Sequence, residues 1–261
     1  MGTIVLKKRA AAWLACLTAL TASACGEPVE PDLSAYNAAG PAEIPVEILG
    51  ELDEQTLEKL VEEPKYVALT FDDGPKADTT GRLLDGLLER GAAATFFVVG
   101  QQIPGNEALL RRMKAEGHQI GNHTWSHQRL DGVLPDAAAQ EVTRTEAALE
   151  ALLGGGEYWL RPPYGQVAEG ANFGVPMVKW SVDPRDWESR NTEKVTRAIL
   201  DSVEPGSIIL LHDIYPTSVE AALRVVDKLQ EEGYWFVTVE ELLWLNGVTP
   251  EAGRMYRTGK G

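Results

Sequence analysis

Short apolar runs alternate with longer amphipathic segments from residue 65 onward. Residues 66–71 predict a strand, and residues 79–90 predict a helix whose leucines at 83, 84, 87 and 88 share one face. The same alternation predicts strands over 94–99, 118–122, 158–161, 177–182, 207–211 and 234–239, and helices over 106–116, 135–153, 192–203 and 217–232. Strands separated by helices imply right-handed crossover connections, so the pattern indicates an α/β domain with a parallel sheet.

The number of predicted strands narrows the fold class. About seven strands in roughly 180 residues fit an α/β barrel that is one unit short of the usual eight, and an open doubly wound sheet has the same pattern. No Gly-x-Gly-x-x-Gly sequence and no phosphate-binding loop follows any predicted strand. A nucleotide-binding fold would therefore lack its characteristic chemistry.

The first 24 residues have the composition of a signal peptide. Lys7, Lys8 and Arg9 precede an apolar run over residues 10–24, which is too short to span the roughly 30 Å of a bilayer core. The run ends in Ala-Ser-Ala, so cleavage after it would leave Cys25 as the first mature residue. We therefore expect an extracytoplasmic protein with a lipid anchor on its first cysteine, as in bacterial lipoproteins. Plain secretion is the alternative.

The segment between the signal peptide and the first predicted strand has a different composition from the rest. Residues 26–64 hold five prolines and eleven acidic residues against one lysine, which is typical of a solvated tether. The predicted organisation is a signal peptide over 1–24, a tether over 25–64, one folded domain over 65–245 and a tail over 246–261. The tail shows no apolar periodicity and is expected to be solvated.

Charge and cysteine content exclude several kinds of ligand. The 261-residue chain has a net charge of −15, which phosphate backbones would repel, so we expect no nucleic-acid partner. Its two cysteines, Cys16 and Cys25, both lie in the N-terminal region. Any metal in the folded domain would therefore be held by histidine and carboxylate side chains. Membrane contact is expected only through the lipid anchor, and no feature indicates an obligate protein partner.

Five clusters of polar residues follow predicted strands at their carboxyl ends. They cover residues 70–75, 123–127, 161–165, 183–187 and 210–213. In α/β barrels and open sheets this face carries the binding and catalytic residues, so the placement indicates an enzyme. Trp125, Tyr164 and Trp187 lie within the clusters and could stack on a sugar ring, although core packing explains each of them equally well alone.

Three of the four histidines lie in these clusters. On a helical turn, His123 and His127 would face the same way with Cβ atoms about 5–6 Å apart, a spacing that suits two imidazoles on one metal. With a carboxylate from another strand end, they indicate a zinc-like His₂–Asp site. The alternative is a His₂–carboxylate iron site of the oxygenase type, which usually occurs in an all-β fold. His118 has no partner in the sequence and is expected to be structural.

Two further groups of residues indicate acid–base chemistry. Asp72 and Asp73 are adjacent carboxylates, an arrangement that is costly unless one binds a cation and the other faces a counter-charge. Arg161 can supply that charge. His212 follows a wholly apolar strand, and Asp186 is a candidate partner to orient its ring.

Together the five clusters resemble the motifs of the polysaccharide deacetylases, the NodB-homology domain of carbohydrate esterase family 4. In the family's order they are Thr-Phe-Asp-Asp-Gly-Pro, His-Thr-x-x-His, Arg-x-Pro-Tyr-Gly, Asp-x-x-Asp-Trp and Leu-x-His, spread over residues 65–245. The resemblance implies a distorted (β/α)7 barrel as a single catalytic domain. It also implies a divalent metal, usually zinc with cobalt or another ion as alternatives, and the removal of acetyl groups from sugars.

The resemblance further implies the metal ligands and both proton-transfer groups. The ligands would be Asp73, His123 and His127. The general base would be Asp72, held by Arg161. The general acid would be His212, held by Asp186.

The resemblance also implies the substrate contacts. Tyr164 would help to bind the oxyanion through its backbone N–H. Trp187 and Leu210 would wall the pocket for the acetyl methyl group, with Pro163 and Trp125 as further substrate-binding residues. Because export would bring the domain to the cell wall, peptidoglycan with its N-acetylglucosamine or N-acetylmuramic acid residues is the expected substrate. Chitin oligomers and acetylated xylan are alternatives, and a non-catalytic glycan-binding protein on the same fold is another.

Overall fold

The computed structural model describes residues 64–261 together with two short strands nearer the N-terminus, β1 (Val5–Leu6) and β2 (Ala42–Glu43), which pair antiparallel. The chain divides into two compact units, residues 1–63 and 64–261. Apart from those two strands, the predicted signal peptide, Cys25 and the tether up to residue 63 lie outside the described residues. Within the described part of the chain, no helix is long and apolar enough to cross a membrane.

The second unit is built on a parallel sheet. Its strands are β3 (Lys65–Asp72), β4 (Ala94–Val98), β5 (Gln119–Asn122), β6 (Met177–Val178), β7 (Ile208–His212), β8 (Tyr234–Phe236) and β9 (Met255–Tyr256). β3 pairs in parallel with β4, β7 and β8, and β4 pairs with β5. β3 and β4 are buried along nearly their whole length, as expected for near-continuous apolar strands covered on both faces.

Single parallel bridges complete the circuit of strands. Leu160 bridges Asn122 of β5 on one side and Met177 of β6 on the other, and Val182 bridges Ile209 of β7. The pairings therefore lead from β3 through β4, β5, Leu160 and the segment that begins with β6 to β7, and from there back to β3. This arrangement is the distorted α/β barrel that the family resemblance implied, and not the open sheet.

Between β5 and β7, two predicted strands are shorter than expected. The strand predicted over 158–161 is reduced to the single bridge at Leu160, because Pro162 and Pro163 follow at once and have no N–H for a ladder. The strand predicted over 177–182 is regular only in β6, with one further bridge at Val182. Both segments still form parallel bridges to their neighbours in the barrel.

The helices of the second unit lie between these strands. They are α1 (Ala77–Glu89), α2 (Glu107–Ala115), α3 (Pro135–Leu153), α4 (Asp186–Ser189), α5 (Thr192–Leu200), α6 (Pro216–Glu231) and α7 (Val239–Leu245), with 3₁₀ turns at Gly100–Gln102 and Pro163–Gly165. The sequence predicted α1, α2, α3, α5 and α6, and α3 has the predicted bounds. It did not predict the short α4 or α7.

Helix α1 buries a leucine face against α6. Leu83, Leu84 and Leu87 are fully buried, and a Cβ on Gly86 would collide with Leu223 of α6. Each such leucine contributes about 1.5–3 kcal/mol through burial. The prediction that Leu88 shares this face is wrong, since its side chain is 60% exposed. At 100° per residue it lies about 140° around the helix from the first leucine, at the edge of the buried stripe.

The C-terminal segment differs most from its prediction. The strand predicted over 234–239 ends with β8 because Thr238 caps α7, its hydroxyl accepting the N–H of Glu241 at 3.2 Å. The tail expected to be solvated returns to the sheet, where β9 pairs in parallel with β6. Tyr256 of β9 is fully buried. Its hydroxyl accepts the N–H of Glu251 at 2.9 Å, so residues at this end belong to the folded unit.

Candidate active site

The carboxyl ends of β3, β5 and β7 bring a carboxylate and three imidazoles together. Asp73 follows β3 directly, and its Oδ1 lies 3.3 Å from Nε2 of His127 and 3.6 Å from Nε2 of His123. On its other side, Oδ2 lies 3.9 Å from Nε2 of His212. Among the described residues, Asp73, His123 and His127 form the one group of this kind whose ligand atoms lie within 4.8 Å of one another.

The two candidate ligand histidines come together through a backbone conformation that the sequence did not predict. Residues 123–127 are not helical, because Thr124 and His127 have φ angles of 66° and 61° in the left-handed region. The backbone N–H of Thr124 donates to Oδ1 of Asn122 at 2.8 Å, which helps to hold this irregular turn. The ring centroids of His123 and His127 nevertheless lie 4.9 Å apart, so the predicted pairing is confirmed and the predicted helical turn is wrong.

The hydrogen bonds of His123 leave one ring nitrogen free to bind a metal. Its Nδ1 lies 2.6 Å from the backbone carbonyl of Arg161, which can only accept, so the Nδ1–H donates. Nε2 then carries the lone pair and faces Asp73. Burial lowers the pKa of His127, which favours the neutral imidazole that a metal requires. The donor set therefore fits a divalent metal of the zinc class.

Asp72 is a buried carboxylate held by Arg161. Nη1 of Arg161 donates to Oδ1 of Asp72 at 2.8 Å and to the hydroxyl of Thr70 at 2.6 Å. Nη2 donates to the backbone carbonyl of Lys179 at 2.8 Å. Burial alone would raise the pKa of Asp72, but the charges of Arg161 and the nearby histidines hold it below its ordinary value. Asp72 is therefore ionised at neutral pH beside the candidate metal ligands.

His212 has the environment of a proton donor. Its Nδ1 lies 2.8 Å from Oδ1 of Asp186, a fully buried carboxylate whose Oδ2 also accepts the N–H of His212 and the hydroxyl of Ser218. Burial alone would lower the pKa of His212, but Asp186 more than offsets this and raises it to about 9. His212 is therefore protonated at neutral pH.

The predicted substrate contacts are only partly brought together. Tyr164 has φ 58° in its 3₁₀ turn, and its exposed ring lies 5.0 Å from that of His127. Pro163 and Leu210 are buried, and Trp187 is 44% exposed on α4. Trp125 lies under the guanidinium of Arg144, which is 3.8 Å from the centroid of its ring. Trp125 does not line the cavity that opens beside Asp73 and His127.

That cavity, about 530 Å³ in volume, opens beside the candidate metal ligands. It is lined by Asp73, Lys76, Val99, Gln101, Gln102, Ser126, His127, Ile214 and Tyr215. The sequence motifs did not indicate Lys76, Gln101, Gln102 or Tyr215. Lys76 directly follows one polar cluster and Tyr215 lies two residues after another, so that proximity is a signal that could have found them. His118 lies elsewhere as expected, where its Nδ1 accepts the N–H of Ala94 at 3.1 Å.

Comparison with known proteins places the chain in a family. The polysaccharide deacetylase family profile matches residues 59–173. The peptidoglycan-N-acetylglucosamine deacetylase PgdA of Listeria monocytogenes is 38% identical over 196 residues, covering 74% of this chain and 41% of that protein. A chitooligosaccharide deacetylase of Bradyrhizobium is 40% identical over 162 residues, covering 60% of this chain and 74% of that one. The chain thus spans about two fifths of the length of the first of these relatives.

A solved structure shows the same architecture. The family 4 acetyl xylan esterase of Clostridium thermocellum, in complex with a cobalt ion, matches with a TM-score of 0.69 and 36% identity, covering 74% of this chain and 98% of that one. The fold, the strand-end site and these similarities define the class. The chain belongs to the polysaccharide deacetylase family.

Proposed function

We propose that the protein is a metal-dependent hydrolase that removes N-acetyl groups from a cell-wall polysaccharide, with peptidoglycan as the first candidate. The observation that carries this proposal is the group formed by Asp73, His123 and His127, which lies between an ionised carboxylate and a protonated imidazole. Hydrolysis of an amide needs a group to activate water and a group to protonate the amine that leaves. Both border this group, since Oδ2 of Asp72 lies 3.5 Å from Nε2 of His123 and Nε2 of His212 lies 3.9 Å from Oδ2 of Asp73.

The metal that these residues would hold is a divalent ion, and zinc is our first choice because two imidazoles and one carboxylate suit it. The cobalt-bound relative makes cobalt a second candidate. Once bound, such an ion polarises the acetyl carbonyl and lowers the pKa of a water molecule. The carbonyl of Arg161 orients His123 for this purpose, as outer-shell partners of ligating histidines commonly do.

Asp72 is proposed as the general base and His212 as the general acid. Asp72 takes a proton from the attacking water because Arg161 keeps it ionised. His212 gives a proton to the nitrogen that leaves, and Asp186 holds its ring by Nδ1 so that Nε2 points to the reacting atoms. Amines leave poorly without that proton, so His212 is needed most for amide substrates.

The remaining family positions are proposed as substrate contacts. The left-handed backbone of Tyr164 presents its N–H for the oxyanion, a role that needs a fixed donor rather than a side chain. Trp187 and Leu210 are proposed to wall the acetyl pocket, with Pro163 beside them. Trp125 stays a proposed sugar contact, although Arg144 covers one face of its ring.

The location of the protein is part of the proposal. Residues 1–24 would direct export, Cys25 would carry a lipid anchor, and residues 25–64 would let the catalytic domain reach away from the membrane. The relative from Listeria is named for a cell-wall substrate, which agrees with action outside the cytoplasm. Chitin oligomers and acetylated xylan are second candidates, because relatives named for those activities match with similar sequence identity.

The test compares acetate release from three substrates. The protein would be stripped of metal, reloaded with zinc and incubated with peptidoglycan, chitin oligomers or acetylated xylan. We expect zinc-dependent acetate release that Asp72→Asn abolishes. Asp78→Asn, an exposed carboxylate close by in the sequence, serves as the matched control and should keep full activity.

The other outcomes contradict either the proposed reaction or the proposed substrate. Folded, zinc-loaded protein that binds a glycan but releases no acetate would indicate a non-catalytic binding protein. Iron as the bound metal together with oxygen consumption would indicate the oxygenase alternative. Release from xylan or chitin alone would keep the reaction and replace the substrate.

A further inference from the structure

Residues 73–76 form the loop between β3 and α1, and this loop carries Asp73. A buried carboxylate holds the loop against the rest of the barrel. Asp213 follows His212 at the end of β7 and is 1% exposed. Its Oδ2 accepts a hydrogen bond from the hydroxyl of Thr80, a fully buried residue near the start of α1. The same hydroxyl accepts the backbone N–H of Lys76 at 2.8 Å. Asp213 is thereby connected through one hydroxyl to the far end of the loop.

Asp213 also packs directly against the backbone of the loop. A Cβ placed on Gly74 would lie 2.3 Å from Oδ1 and 2.4 Å from Oδ2 of Asp213, so the carboxylate occupies the space that any larger residue would need. Oδ1 is buried and has no hydrogen-bond partner among the described residues. A buried polar atom left unpaired is unfavourable for folding, so a contribution to stability does not by itself account for the carboxylate.

Asp73 needs such support. Its φ of 72° is in the left-handed region, where a residue other than glycine is strained and persists only if its surroundings hold it. Nothing in the Asp73 side chain itself fixes that conformation, since its carboxylate faces the histidines. On the C-terminal side of Asp73, Asp213 packs against Gly74 and the hydroxyl of Thr80 accepts the N–H of Lys76.

We propose that Asp213 and Thr80 form a clamp that positions the Asp73 carboxylate for metal binding. Both are positioning residues, since neither reaches the site itself. The inference rests on the proposed function, because it requires Asp73 to be a metal ligand. The clamp links residues 74–76 to the residue that follows β7, next to the candidate acid His212.

The test measures zinc affinity of the full-length protein by competition with a chromophoric chelator. Thr80→Val keeps the shape of the side chain and deletes the hydroxyl, and Gly74→Ala inserts a methyl group against Asp213. We expect each to weaken zinc binding about 10–100-fold, the usual effect of losing an outer partner of a metal ligand. Thr80→Ser restores the hydroxyl and should bind zinc within about twofold of the wild-type protein.

Thr79 provides the matched control. It precedes Thr80 in α1, is 3% exposed, and its hydroxyl has no hydrogen-bond partner among the described residues. Thr79→Val should therefore leave zinc affinity unchanged. Thermal unfolding of the metal-free variants separates positioning from folding, because loss of the clamp should lower zinc affinity beyond any change in metal-free stability.

Three outcomes would overturn the clamp. Thr80→Val and Gly74→Ala could both bind zinc like the wild-type protein, Thr79→Val could weaken binding as much as Thr80→Val, or the variants could lose only metal-free stability. If Thr80→Val does not fold, Gly74→Ala decides alone. Failure of the clamp is distinct from failure of the proposed function, which would appear as wild-type protein that binds no zinc or releases no acetate.

Discussion

At the scale of single residues, Arg161 and Asp72 form a buried ion pair whose disruption should strongly affect the free energy of unfolding. Both side chains are buried, and Arg161 also contacts Thr70 and lies over the ring of Phe97 at 4.2 Å. We predict that Arg161→Met lowers the free energy of unfolding by about 3–5 kcal/mol, because removing one partner leaves an uncompensated buried charge. Urea unfolding at pH 7 measures the loss.

The control for this prediction is an arginine in a more exposed ion pair. Arg112 contacts Asp85 and Glu116, and its side chain is 31% exposed. Arg112→Met should cost less than about 1 kcal/mol, as is usual for pairs near the surface. Equal losses in the two variants would contradict the view that the charge of Asp72 needs Arg161.

His212 gives a prediction about chemistry. An amine needs a proton to leave, whereas an activated ester has a leaving group that departs without one. We predict that His212→Ala lowers kcat/KM for N-acetylated sugars by about 100-fold or more, and lowers it much less for an activated acetyl ester. Steady-state kinetics on both substrates measures the difference. Equal losses on the two would remove His212 as the general acid.

The contact between His212 and Asp186 also makes stability depend on pH. The pKa of His212 is about 9 in the folded protein, against about 6.5 in an unfolded chain. The stabilisation is therefore complete below about pH 6.5 and is lost as pH rises through 9, amounting to about 3 kcal/mol at most. We predict that metal-free Asp186→Asn shows a flatter decline in unfolding free energy over this range. Parallel curves for the two proteins would contradict the pKa shift.

The sequence indicated which residues form the candidate site but not their conformations. Asp73, His123 and His212 could be predicted because the ends of parallel strands meet at one edge of a barrel, which is a general property of the fold. The left-handed φ of Asp73 and the non-helical path from His123 to His127 depend on contacts with distant residues. The contact of Asp213 with Thr80 joins residues 133 positions apart, and no local pattern indicates it.

At the scale of elements, helices with a long apolar face were predictable and short elements were not. Helix α3 follows its periodicity from end to end. Helix α7 was missed although Thr238 and Glu241 form a capping box, a signal that is readable in the sequence. The pairing of β9 with β6 has almost no signal in the sequence. Each strand has only two residues, and the paired residues, such as Met177 and Met255, are far apart in the chain.

The return of the C-terminal segment to the sheet has a measurable consequence. Tyr256 is fully buried in the cluster that contains Trp159 and Leu242. We predict that Tyr256→Ala lowers the free energy of unfolding by about 3–5 kcal/mol, as expected for deleting a buried aromatic ring. Arg257→Ala, at the exposed neighbouring position, should change it by less than about 0.5 kcal/mol. A small effect of Tyr256→Ala in thermal or urea unfolding would mean that this segment is not part of the core.

At the scale of the whole molecule, the net charge of −15 acts on every encounter with substrate. A chain this acidic repels anionic wall polymers at low ionic strength, where the screening length is about 30 Å at 10 mM salt, and less so at 100 mM, where it is about 10 Å. We predict that kcat/KM for soluble peptidoglycan fragments rises severalfold over this range. The value for neutral chitin oligomers should stay constant, because they carry no charge to repel. The same rise on both substrates would show that salt acts on the enzyme itself, and a fall on peptidoglycan would show that local cations such as Lys76 outweigh the net charge at the cavity.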